Sequence, residues 1–386
     1  MEAVPAPFWF VQFFKVVGFV LHMIPMGIWF AGLPVVILCA LWNCECSRFY
    51  ARRMSAQFPV MMALGINFGI VPLLFLQTTY YKAFYTATIL TAWFWIAVVP
   101  ILIAGYYSLY IAAYSGERRG RRILFSIIAS FCLVCIGILN TNGLTLMTSS
   151  GLWNEMISNT SYYGAVLGTA HNFENPVLWM RLSTMFGLGM ITAGVWAAFD
   201  SHFLMRSTAA QVPANYRQWT TTLALLMSFI GVGILTGTEY VVKTNPFIAL
   251  KSDAAPDANA LAKICMDNPI LAASHPALAT AYPFFGWVLL FACTVFVVLL
   301  LAKTGSAKFV AIAAVLQFLT LAAFGVIRQI GQNNGMKTFI DVSRLPEAVQ
   351  WDSLIAFVVI FLLGVCVIVW MVVQCVKAEI NNTNEE

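Results

Sequence analysis

A histidine set inside an apolar run is the residue of this chain with the most chemistry to offer. His22 is flanked by Phe19, Val20, Leu21, Met23 and Ile24. A neutral imidazole in apolar surroundings can ligate haem iron. It can equally hydrogen-bond a neighbouring helix, and residue chemistry alone leaves both readings open. The other histidines lie outside the apolar runs: His171 and His275 in connecting segments, His202 just past a run. A two-histidine haem site is therefore not available within the chain. A methionine remains as a second ligand, Met26 one turn beyond His22 being the nearest. Cys132-Leu133-Val134-Cys135 has redox spacing, but it lies in an apolar run and lacks the following histidine of a covalent haem site. Buried, inert thiols are expected there.

A second group of polar residues falls near one end of several runs. Asn67, Asn142, Glu239, Arg328 and Gln329 are expected to converge on a quinone or on haem propionates. Arg328 leads this group, since a guanidinium pairs bidentately with carboxylates. The competing reading for Arg328 is an interfacial anchor reaching for the membrane surface. For the asparagines it is hydrogen bonding between helices.

These residues must be positioned by membrane helices. The chain is 61% hydrophobic and 10% charged, where a soluble domain has roughly a quarter of its residues charged. Nine runs are apolar for the about 20 residues that a bilayer core requires: Phe8–Trp42, Phe58–Tyr80, Ala83–Tyr114, Ile123–Thr148, Val177–Asp200, Trp219–Val241, Ala281–Ala302, Phe309–Arg328 and Ser353–Val376. They are solidly apolar instead of alternating, which excludes a β-barrel. The sequence thus predicts an all-α integral membrane protein of about nine transmembrane helices, residues 1–386 forming a single transmembrane domain.

The net charge of +5 is informative by location and implies no nucleic acid. Twelve of the 21 Lys and Arg, from Arg48 and Arg52 through Arg118–Arg122, Arg206 and Arg217 to Lys303, Lys308 and Lys377, fall on one side. The positive-inside rule makes that side cytoplasmic. The N-terminus is then outside and the C-terminus inside, with the longer loops Ser149–Pro176, Val242–Thr280 and Gln329–Asp352 outside. Cys265 is the one cysteine in those loops, so no outer disulfide is expected within the chain.

Four stretches, taken in order, resemble the large, haem-bearing subunit I of the cytochrome bd quinol oxidases. The first run carries His22 with Pro25 and Gly27 just after it. The second carries Gly65-Ile66-Asn67-Phe68-Gly69, similar to the family's Gly-Ile-Asn-Phe stretch. The fourth ends in Asn140-Thr141-Asn142-Gly143-Leu144, which resembles the family's Ala-Asn-Gly run. The eighth ends in Val326-Ile327-Arg328-Gln329, similar to part of Glu-x-Gly-Arg-Gln-Pro-Trp. The resemblance covers most of the chain at low identity. It implies a subunit I-like bundle, a haem b and a quinone as possible cofactors, and a bacterial-type inner membrane.

The departures bear on activity. Gly325 stands where the oxidases have a haem-serving glutamate, and Ala83–Tyr114 has none of their third-helix carboxylates. Their low-spin haem histidine falls at Thr184, their methionine ligand near Phe284, and the long quinol loop is shortened. Of the ligands that the resemblance implies, His22 alone is kept. Oxygen reduction needs protons carried through an apolar interior, and the spans show no buried carboxylate apart from Glu239.

The expectation is therefore an electron-transfer subunit without oxidase activity of its own. It would exchange electrons between the quinone pool or a haem b and partners on the outer face. Those partners would be c-type cytochromes or iron–sulfur proteins, in contact with membrane lipid. The alternative is a cofactor-free anchor for redox partners. A solute transporter fits less well, since its polar groups would gather near mid-membrane.

Overall fold

In the computed structural model, residues 3–42, 44–205, 212–244, 284–337 and 339–384 are described. Arg206, Cys265, His275 and nearly all of the loop 242–280 lie outside them. Eleven helices are seen among the described residues: α1 (Phe8–Leu41), α2 (Glu45–Thr79), α3 (Tyr81–Leu90), α4 (Ala92–Ala113), α5 (Arg119–Met147), α6 (Trp153–Asn159), α7 (Pro176–Phe199), α8 (Tyr216–Thr244), α9 (Phe285–Ala302), α10 (Ala307–Met336) and α11 (Trp351–Asn384). A two-stranded antiparallel hairpin, Ser161–Tyr162 with Ala165–Val166, follows α6.

Eight of these helices are long and apolar enough to cross a bilayer: α1, α2, α4, α5, α7 with the π-turn that continues it to Leu204, α8, α9 and α10. The ninth run lies on α11, of which Trp351–Val367 is apolar. One expectation changes. The third run is not one helix: it breaks at Thr91, where the backbone leaves helical geometry (φ −108°, ψ 27°), giving the short α3 and the spanning α4. An unbroken apolar run does not reveal such a break, because hydropathy carries no information about backbone angles.

The chain separates into two compact units. The smaller joins Met1–Val11 to Val342–Glu386. Within it Val4 bridges to Glu347, the Ala348 N–H donates to the Val4 carbonyl at 2.9 Å, and the Glu347 carboxylate accepts from the Phe8 N–H at 2.9 Å, capping α1.

The larger unit, Gln12–Asp341, holds the remaining spans around α7. From Gly187 to Val195 every residue of α7 is buried. Small residues allow this: a Cβ on Gly231 would lie 2.6 Å from the Gly187 carbonyl oxygen, and one on Gly27 would lie 3.1 Å from the Cα of Gly189. Backbones approach this closely between membrane helices because little apolar burial is left to drive association, so close packing takes that role. One apolar core, with Phe58, Leu109, Leu133 and Met190, lies on the α2, α4 and α5 side. The other, with Leu188, Val288, Val295 and Val310, lies on the α9 and α10 side. Outward-facing apolar side chains such as Trp93, Ile96 and Val99 on α4 are left for lipid.

The spans do contain a buried carboxylate besides Glu239, contrary to expectation. Asp200 is fully buried where α7 gives way to the π-turn. Arg53 Nη2 donates to its Oδ1 at 2.7 Å, Arg53 Nε pairs with Oδ2, and Gln57 Nε2 donates to Oδ1 at 2.8 Å. Trp196 Nε1 holds Gln57 in place at 2.8 Å. Arg53 and Gln57 are one turn apart on α2, as are Trp196 of α7 and Asp200 at the start of the π-turn, so two helix faces build the pair. In sequence Asp200 marks only the end of a run, and its burial depends on the neighbouring helix.

Candidate functional site

α1 aims His22 at α2. The imidazole Nδ1 donates to the Gly65 carbonyl at 2.7 Å. With its proton there, Nδ1 leaves Nε2 as the ring's lone-pair nitrogen, and Nε2 has no hydrogen-bond partner among the described residues. The orienting carbonyl comes from the helix opposite. Gly69, one turn on, makes the contact possible: a Cβ there would sit 2.8 Å from Nδ1 and 3.0 Å from Cε1 of His22. In the Gly65-Ile66-Asn67-Phe68-Gly69 stretch the two glycines serve the imidazole, one as acceptor and one as space. Asn67 turns away: it is exposed, and its amide donates to the Ala63 carbonyl of its own helix at 2.9 Å.

Arg328 approaches His22 from α10. Its guanidinium lies over the Phe19 ring, 4.4 Å from the centroid, and makes no hydrogen bond among the described residues. Lys15 and His22 flank Phe19 on α1, four residues before it and three after. Arg181 is placed by the start of α7, where Pro176 occupies the first turn and the Asn175 side chain accepts from the Val177 N–H at 3.0 Å. Its guanidinium donates at 3.2 Å to the Leu144 carbonyl and to the hydroxyls of Thr145 and Thr148 on α5 and just past its end. Lys15 is 3% exposed, with its ammonium 4.2 Å from the centre of the Tyr80 ring.

A chain of neutral polar groups borders these cations. Gln329 Nε2 donates to Asn333 Oδ1 at 2.6 Å, the Tyr80 hydroxyl bonds to the same oxygen, and Asn333 Nδ2 donates to Gln12 Oε1 at 3.1 Å. Gln329 thus reaches the cluster through Asn333. Asn142 is fully buried, and its Oδ1 accepts the Asn172 N–H at 2.8 Å, fastening the segment before α7 to α5. Glu239 is half-buried on α8.

Lys15 and Arg181 did not emerge as site residues from the sequence. A signal existed in each case: both are charges inside apolar runs, and Lys15 stands seven residues before His22, on the same face of α1.

The positions where the resemblance implies lost ligands are structurally occupied. A Cβ on Gly325 would meet Val20 at 3.2 Å and Phe19 and Val16 at 3.4 Å, so α1 packs where a longer side chain would point. The Thr184 hydroxyl donates to the Met180 carbonyl at 2.8 Å, one turn back on its own helix.

Fold and site together define a multi-pass α-helical membrane protein with a polar, cation-rich centre between α1, α7 and α10. Its fold is similar to that of a bd oxidase from Geobacillus thermodenitrificans, with a TM-score of 0.63 at 12% identity, covering 95% of this chain and 97% of that one. No protein-family model and no curated protein sequence matches the chain.

Proposed function

We propose that this chain is an electron-transfer subunit of a respiratory-type redox complex in a bacterial-type inner membrane, holding one haem b at His22. The observation that carries the reading is the state of His22: the Gly65 carbonyl fixes the ring through Nδ1, while Nε2 has no partner among the described residues. A haem bound there supplies one-electron redox chemistry within the membrane. His22 would hold its iron. Arg328, with no carboxylate partner among the described residues, would meet its acidic edge. The fold shared with a bd oxidase supports a redox role. Gly325 and Thr184, which offer no ligand where the resemblance expects one, favour loss of oxygen reduction.

Electrons would pass to or from the quinone pool and to c-type cytochrome or iron–sulfur partners on the outer face. Gln329, Asn142 and Glu239 are proposed to border that route. A reduced-minus-oxidised spectrum of the purified chain tests the reading. A haem b α-band that disappears in His22→Ala, with expression and assembly kept, is the expected result. A full band in His22→Ala would remove His22 as the ligand. A flat wild-type trace would favour the cofactor-free anchor.

A further inference from the structure

We infer that Lys15 and Arg328 form a recognition site for the two carboxylates of a porphyrin, with Lys15 as the residue that completes it. The inference rests on the haem reading of His22 and extends it to the other edge of the ligand. Lys15 Nζ is buried and has no hydrogen-bond partner among the described residues. Arg328 is equally without one, so together they present eight N–H donors, five from the guanidinium and three from the ammonium, to the interior. Neither cation has a carboxylate partner among the described residues. The Gln12 amide nitrogen, in the polar chain that borders Lys15, is also buried without an acceptor among the described residues. A buried cation with no counter-charge is strongly unfavourable, so this arrangement calls for an acidic, acceptor-rich ligand.

The spacing selects which acid. Seven residues along α1 carry Lys15 about 10.5 Å from His22 and return it to the same helix face, 20° short of two full turns. That is the reach from the metal at the centre of a porphyrin to the carboxylates at its edge. A small inorganic anion would satisfy the cations but not the unpaired His22 Nε2, and a quinone carries no formal charge to balance them. A dicarboxylate porphyrin meets both requirements along one helix face.

The test compares haem b with its dimethyl ester, which keeps the iron and lacks both charges, on the full chain depleted of endogenous haem. Wild type is expected to bind haem b about tenfold or more tightly than the ester. Lys15→Met should lose most of that preference by weakening haem b alone, and Lys15→Arg should retain it. Equal affinity for both porphyrins in wild type would overturn the carboxylate site while leaving His22 ligation intact. An unchanged preference in Lys15→Met would remove Lys15 from the site. Binding of neither porphyrin would overturn the haem reading and this inference together.

Discussion

Gly69→Ala isolates the contact on which the site turns. The added methyl would fall 2.8 Å from His22 Nδ1 and 3.0 Å from Cε1, where ordinary contact begins at 3.4 Å. Because the ring is tied to the Gly65 carbonyl at 2.7 Å, it cannot retreat and keep that bond. Overpacking of this kind costs about 1–3 kcal/mol, and a buried donor left unpaired costs about 1–3 kcal/mol more. Against this stands the better helix propensity of Ala over Gly, about 1 kcal/mol. The net expectation is a loss of about 1–5 kcal/mol, or about 2–10 °C in apparent melting temperature at about 2 °C per kcal/mol for a large chain. The comparison is made in detergent at one fixed scan rate, since unfolding of such proteins is generally irreversible. The same substitution in a His22→Ala background meets no ring and should be neutral or stabilising by up to about 1 kcal/mol. Equal destabilisation in both backgrounds would refute the claim that Gly69 is there to seat the imidazole.

Three further outcomes are expected. In the Arg53–Asp200 pair, Arg53→Met should destabilise more than Asp200→Asn: the Asp200 side chain is 1% exposed and would be stranded as a buried charge, while Arg53, 26% exposed, can still reach water. Thermal melts should show a loss of about 3–5 kcal/mol for the first and less for the second, and the reverse order would refute the burial argument. A periplasm-dependent reporter should be silent after Lys377 and active between Ala254 and Ala258; the opposite pattern would invert the proposed orientation. Membranes with this protein as sole candidate oxidase should consume no oxygen with quinol as donor. Robust cyanide-resistant consumption would show that Gly325 and Thr184 do not abolish oxygen reduction.

The sequence by itself determined the class of fold, because crossing a bilayer demands long, solidly apolar helices and these are visible without any neighbour. It also singled out His22 and Arg328, since a polar group costs so much in such a run that its presence is a signal. It did not determine what those residues meet. That Gly65 lends a carbonyl, that Gly69 makes room and that Asn67 turns away depends on how α1 and α2 face each other, which hydropathy does not encode. The break at Thr91 and the burial of Asp200 were hidden for related reasons, one set by local backbone angles and the other by a partner helix. Lys15 and Arg328 stand 313 positions apart in sequence. Only packing of α10 on α1 seats the Arg328 guanidinium over Phe19, one turn from Lys15, so the cation pair belongs to the tertiary structure alone.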